Sequence, residues 1–230
     1  DTFEVEVSFE DISFPLNLAD DQELDEDGNN FATAKHNQSG DDNLVYISRK
    51  TNICTGTWSI KLTGKTVQNG EYHAYIEYPC GNHKSSTIID ATTDCTLNAL
   101  ATTPSSIVVG CYKKNPKGYS HFSSAGTTRT GLFKPEVSSL GEDIWAAYSK
   151  STNISKRVKY SGTSQSAPVI AGITARILSI ARGKNKELST SDIQHILINS
   201  ASLEGLIIKE EDIKKDENGR KWHPRYGFGR

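Results

Sequence analysis

A chain of 230 residues is long enough for one large domain or two modest ones, each with a buried core. Its 35% apolar and 23% charged content and net charge of −2 are those of an ordinary folded protein and leave no global bias towards nucleic acid or an anionic membrane. No run approaches the roughly 20 apolar residues of a membrane helix, so a soluble chain with no membrane span is expected. Methionine is absent and the chain opens in an alternating apolar segment rather than a signal peptide, which implies that something upstream was removed or lies outside it.

Residues 1 to 79 read as a β-rich region. TFEVEVSFEDI and NLVYISR alternate apolar and polar residues with the period of half-buried antiparallel strands. TWSIKLTG and EYHAYIEY flank Gln68-Asn69-Gly70, a hairpin cue because Asn-Gly tolerates positive φ, so the two are expected to pair. Between the first strands, Ala19 to Asn43 is acidic and nearly without aliphatic side chains, which predicts a solvated loop. DEDGNN within it resembles a calcium loop only faintly, since the required glutamate spacing is missing; calcium stays possible with no ligand assignable.

Cys54, Cys80, Cys95 and Cys111 are 26, 15 and 16 residues apart, unlike the close pairs of a structural zinc site, so no metal site is assigned. Disulfides and buried free thiols are both compatible with that spacing.

From residue 80 the pattern changes. SSIVVGCY is a short continuous apolar run of the kind that forms a strand buried on both faces. Two helices follow the Gly- and Ser-rich FSSAGTTRTG. The first, from about Ser164 to Arg182, is apolar on nearly every side and belongs in the centre of a domain. The second opens with Ser189-Thr190-Ser191-Asp192, where Ser189 can cap the helix and Asp192 can answer it; Ile193, Ile196 and Leu197 form its apolar stripe.

Ser164 stands in SGTSQSAPVIAG, residues 161 to 172. A serine at the first turn of a buried helix is ordinarily a cap. Here Gly162 lets backbone approach closely, the helix N-terminus offers N–H groups and a positive dipole end, and Pro168 is compatible with a first turn. Such a site suits a developing oxyanion.

SGTSQSAPVIAG resembles the nucleophile segment of the subtilisin-like serine peptidases, usually Gly-Thr-Ser-Met-Ala-x-Pro. SSIVVGCY resembles that family's late core strand, YSHFSSAGTTRTGLFKPEV the passage that follows it, LSTSDIQHILINSAS its penultimate helix, and RYGFGR its closing segment. The matches run in family order over residues 80 to 230. Departures are Gln165 for the methionine, Ser166 for the alanine, Glu136 for the aspartate of Lys-Pro-Asp, and Ser139-Leu140-Gly141 for Ala-Pro-Gly.

The resemblance implies an α/β fold, the C-terminal part of a subtilisin-like three-layer parallel sheet over residues 80 to 230, preceded by an antiparallel, sandwich-like β insertion over residues 1 to 79. It implies Ser164 as the catalytic serine of an endopeptidase acting on a protein or peptide through an acyl-enzyme. A serine hydroxyl needs a base, and the base a carboxylate, in the family's order Asp, His, Ser. The family's aspartate, His-Gly-Thr-His and oxyanion-asparagine segments should precede Ser164, and this chain contains none of them. His36, His73, His83, His121, His195 and His223 each read as solvated or structural rather than as that base.

The chain therefore reads as the C-terminal piece of a larger peptidase, inert without its upstream part. It is expected to pair with that part, to self-associate or to rearrange, because the missing strands would leave the Ser164 helix and a strand edge uncovered. Family habit implies a secreted or cell-envelope location; substrate-binding residues stay unassigned. The competing reading is a binding module or pseudoenzyme whose β region engages a protein or polysaccharide.

Overall fold

The structure is a computed structural model that describes residues 2–17, 21–26, 29–39, 42–49, 56–76, 87–115, 118–149, 152 and 155–230. The chain divides into two compact units, Asp1–Ser86 and Thr87–Arg230.

The first unit is built from two antiparallel three-stranded sheets. One has the order β2-β1-β6, with β1 Thr2–Phe9, β2 Ile12–Leu16 and β6 Trp58–Thr66; the other has β3 Gln22–Glu26, β4 Asn29–Ser39 and β5 Asp42–Arg49 in sequence order. Alternation explains the pairing. In β1 Val5 and Val7 point to one face, Val7 stands opposite Phe14 of β2, and Leu24 of β3 stands opposite Ala32 of β4. These residues and Ala34 form one apolar cluster, with Trp58 and Phe3 packed against it.

Two expectations fail in this unit. The acidic segment from Ala19 to Asn43 is not a loop over its described residues but supplies β3, β4 and the start of β5. Its period of two is carried by one leucine and small alanines, so burial needs few aliphatic side chains while Glu23 and Asp25 stay exposed. The hairpin across Gln68-Asn69-Gly70 is also absent among the described residues. Gly70 does take positive φ, at 71°, but β6 pairs along its length with β1 and residues 71–76 form no strand. Turn chemistry fixes where a chain bends, not which partner a strand takes.

In the second unit β7, Val109–Tyr112, and β8, Val137–Leu140, form a parallel pair. β9, Ile144–Ala147, and β10, Arg157–Tyr160, form an antiparallel hairpin that runs into α1, Thr163–Gly183; α2 spans Thr190–Ser200. Val137, Ile170 of α1, and Ile193 and Leu197 of α2 share a core, with Ile107, Val109, Ile177 and Leu178 at its margin. The described residues carry two strands of the expected parallel sheet. As a result α1 is not central on all sides: Ile170 is 7% exposed, but Val169, Ile173 and Ile180 are 42%, 45% and 49% exposed.

α2 begins as its sequence predicts. Ser189 Oγ accepts from the Asp192 N–H, and Asp192 accepts from the Ser189 N–H in return. The carboxyl of Asp192 is held below its ordinary value by the Ser189 hydroxyl and N–H. The closing segment locks onto β8: Phe228 N–H donates to Glu136 O at 2.8 Å and Ser138 N–H to Gly229 O at 2.8 Å. Gly227, at φ 67°, is needed there because a Cβ would lie 2.4 Å from Glu136 O.

A buried ion pair ties this core together. Lys134 and Glu136, 3% and 6% exposed in their side chains, meet at 2.5 Å. Lys134 also donates to Ser106 O at 2.5 Å, while Glu136 accepts from the Val108 N–H at 2.8 Å and from Gln194 of α2 at 3.5 Å. Burial raises the Glu136 carboxyl above its ordinary value, against the pull of Lys134. Lys134→Met would strand a buried carboxylate and is expected to cost about 3–5 kcal/mol at pH 7.5 in urea unfolding. Because a protonated Glu136 needs no cation, the deficit is expected to shrink as pH falls into the carboxylate range; an unchanged deficit would rule out charge pairing as its cause.

Candidate active site

Ser164 lies in the first turn of α1 and is exposed. Gly162 occupies the N-cap without a side-chain hydrogen bond, so Ser164 is not the cap that its position in a helix start suggests. Among the described residues its hydroxyl forms no hydrogen bond. Pro168 stands inside the helix, one turn beyond Ser164 and later than the first turn expected for it. Position i+4 would ordinarily donate to the carbonyl of residue i, so the proline withdraws the intrahelical donor for Ser164 O.

The turn that carries Ser164 is pinned to the segment 141–143 that joins β8 to β9. Gly162 N–H donates to Gly141 O at 2.8 Å, Asp143 N–H to Ser161 Oγ at 2.9 Å, and Gln165 N–H to Gly162 O at 3.0 Å. Ser166, wholly buried, donates its hydroxyl to Ser139 O at 3.2 Å. This approach requires a glycine at 141. A Cβ there would sit 2.2 Å from Ser166 Oγ, 2.6 Å from Cys111 Sγ and 2.6 Å from Gly162 O. Cys111 is itself buried on β7, its thiol 3.1 Å from Ser120 Oγ and its N–H donating to Ser123 Oγ at 2.9 Å.

None of the histidines placed by the structure hydrogen-bonds Ser164 among the described residues. His36 contacts Asn43 Oδ1 at 3.0 Å; His73 contacts Glu71 at 3.2 Å and stacks on Tyr75. His121 is exposed with its ring against Phe122, and His195 is exposed on α2. His83 lies outside the described residues, as do Cys54 and Cys80; Cys95 and Cys111 are free thiols.

His223, read from sequence as solvated or structural, is buried at 3% exposure. Its Nδ1 accepts from the Arg225 N–H at 3.1 Å, its Nε2 lies 3.8 Å from the Asp212 carboxylate, and its ring packs against Tyr226 and Tyr119. The aromatic repeat of RYGFGR is the available signal for that burial. Burial lowers the His223 imidazole below its ordinary value, with Arg225 adding to the effect and Asp212 opposing it. Burial also pushes the Tyr226 phenol up to about 12; its hydroxyl donates to Ile207 O at 3.0 Å.

Among the described residues no group of three or more His, Cys, Asp or Glu side chains is placed to hold a metal ion, and no helix is long and apolar enough to cross a membrane.

A parallel strand pair thus leads through a hairpin to a serine in the first turn of a long helix, and an aromatic, Gly-containing tail closes the unit. The subtilase family model matches residues 37–229, and the chain belongs to that family, peptidase S8. No curated protein matches it. Among solved structures it is similar to one titled "Structure of Prenylagaramide maturation protease PagA", at 21% identity and a TM-score of 0.45 over 60% of this chain. The chain spans 43% of that structure's length.

Two outcomes follow from this geometry. Gly141→Ala is expected to destabilise by about 1–3 kcal/mol through overpacking. Gly172→Ala, in the same helix as Ser164 but with nothing within 4 Å of the added Cβ, is expected to be neutral or to stabilise by up to about 1 kcal/mol. Urea midpoints of the two variants decide it, and equal effects would refute the close packing at 141. Separately, His223 has a lowered folded value, so its contribution is fully present above the ordinary value of 6.5 and lost as pH falls below it. Wild type is thus expected to lose stability more steeply than His223→Gln between pH 7.5 and 5, and parallel curves would remove His223 as the cause.

Proposed function

We propose that this chain supplies the nucleophile, Ser164, of a serine endopeptidase, and that the histidine and aspartate of its triad come from sequence outside these 230 residues. The observation that carries the reading is the combination of an exposed Ser164, released from capping by Gly162, with subtilase membership. In this reading the imidazole takes the Ser164 proton as Oγ attacks the scissile carbonyl. The Ser164 N–H at the helix start contributes to the oxyanion site, and an acyl-enzyme forms that water then hydrolyses. The substrate is a protein or peptide.

By itself the chain is expected to be inert, since among the described residues Ser164 Oγ has no base. The apolar row Val169, Ile173 and Ile180 supports pairing with the remaining half of a catalytic domain, or self-association where that half is lacking. The β-rich region, residues 1 to 79, is then an insertion into that domain, and the location is secreted or at the cell envelope. Calcium has no assigned ligand.

The test is covalent labelling with a fluorophosphonate probe of the chain alone, of the chain co-expressed with its upstream segment, and of the same pair carrying Ser164→Ala. Labelling is expected only in the co-expressed wild type. Absence of labelling there, with the histidine and aspartate present upstream, would favour a binding module or pseudoenzyme instead.

A further inference from the structure

The hairpin of β9 and β10 has no role in the packing described above, yet its side chains are unusual together. Over its described residues 144–149 and 155–160 it carries Lys156, Arg157 and Lys159 and no acidic residue, in a chain whose net charge is −2. None of the three cations forms an ion pair among the described residues. Elsewhere in this unit Arg220 pairs with Asp216, Lys134 with Glu136 and Lys209 with Glu211.

The register sorts these groups by face. Trp145 stands opposite Lys159 and Ala147 opposite Arg157, so Trp145, Lys159 and Arg157 share one face. Trp145 is 61% exposed, and the Lys159 ammonium lies 5.3 Å from its ring centre. Lys156 is instead stacked over Tyr148, 5.0 Å from that ring. Arg157 and Lys159, two residues apart on one strand, are about 6.6–6.8 Å apart along it. That spacing matches alternate side chains of another extended chain. It does not match a fluid headgroup layer, which imposes no such repeat.

The strip is also close to Ser164. Lys159 lies five positions before Ser164, a reach of at most about 18 Å, and β10 leads directly into the turn that presents the serine. An extended polypeptide bound at Ser164 is therefore long enough to lie along the strip within a few residues of its scissile bond.

We propose that the Trp145, Arg157 and Lys159 face of this hairpin is a docking strip for an acidic segment of the substrate, with carboxylates at alternate positions a few residues from the scissile bond. This rests on the reading of Ser164 as the nucleophile. The cations supply charge complementarity, and the tryptophan ring gives the substrate backbone an apolar surface to lie on.

The experiment uses the full-length peptidase and three peptides that share one scissile centre but carry Glu-x-Glu, Gln-x-Gln or Lys-x-Lys beside it, placed in turn on either side. The expected result is a kcat/KM roughly five- to tenfold higher for the acidic peptide than for the neutral one, carried mainly in KM and falling with added salt. Arg157→Glu/Lys159→Glu is expected to abolish that preference and to favour the Lys-x-Lys peptide, read as the ratio of each charged peptide to the neutral one in the same variant. Equal cleavage of all three peptides by wild type, or an acidic preference retained in the double variant, would overturn the proposal.

Failure of Ser164 as nucleophile reads out differently: the fluorophosphonate probe would not label, while fluorescence anisotropy of the uncleaved acidic peptide would still report the strip. Co-sedimentation with phosphatidylserine vesicles that is lost in the double variant, without any peptide preference, would assign the face to a membrane and reject the substrate role.

Discussion

The absence of a side chain at residue 141 is the constraint on which the site rests. Where β8 ends, three pieces of chain converge: the Gly162 carbonyl, the buried Ser166 hydroxyl of α1 and the Cys111 thiol of β7, all within 2.6 Å of where a Cβ would be. Nothing larger than hydrogen fits. In return, the Gly162 N–H reaches Gly141 O and the Ser166 hydroxyl reaches Ser139 O, so two bonds fasten the start of α1 to one strand end. The position of Ser164 is therefore inherited from β8 rather than from its own loop. β8 in turn is held from its other side by residues 228 and 229 of the closing segment. Positions nearly a hundred residues apart thus fix one hydroxyl.

The same strand begins in a polar network, and here the departure from the family pattern matters. Glu136 replaces an aspartate, and its longer side chain lets one carboxylate serve Lys134, the Val108 N–H and Gln194 together. Those partners come from three parts of the chain, the loop before β7, the entry to β8 and α2. A buried ion pair is a weak source of net stability, because desolvation cancels much of the attraction. What the pair specifies is arrangement: any other docking of α2 or of residues 104–108 would leave hydrogen bonds to the buried Lys134 and Glu136 unmade. The Ser189–Asp192 capping box at the start of α2 then sets where that helix begins, so Gln194 arrives in register.

How much of this was legible in the sequence depends on whether a signal is local. The capping box, the course of α1 and the alternation of β1 and β5 are written in consecutive residues, and each is found where its pattern puts it. Pairing is not local. Trp58 to Thr66 lies beside an Asn-Gly turn, yet its partner is β1, more than forty residues upstream. The acidic segment misleads because burial on one face of a strand needs only every second residue, and Leu24, Ala32 and Ala34 meet that need with little hydrophobic content. At the candidate site, neighbouring residues single out Ser164 in the sequence, but nothing there marks the requirement at Gly141: which atoms crowd a glycine is a property of the assembled core. For His223 the choice between a solvated and a structural role is settled in the same way, by the enclosure that Tyr119 and Tyr226 provide in the assembled core.

Buried and exposed polar groups differ in how they are satisfied in the second unit. Its buried polar side chains are paired: Ser138 with Gly229 O, Ser166 with Ser139 O, Ser123 with the Cys111 N–H, Trp222 with Pro135 O, and Lys134 with Glu136. Such groups are costly to leave unmade, and the fold leaves none of these so. Ser164 and the hairpin cations Arg157 and Lys159 are different, being at the surface and without a hydrogen-bond or ion-pair partner among the described residues, although Lys159 lies over the Trp145 ring. A hydroxyl serving only the helix would be expected at the cap, and cations serving only the hairpin would be expected opposite carboxylates. These side chains do neither, although rigid elements hold them at defined places. Groups that are positioned but not used internally are what a site that acts on an external polypeptide requires.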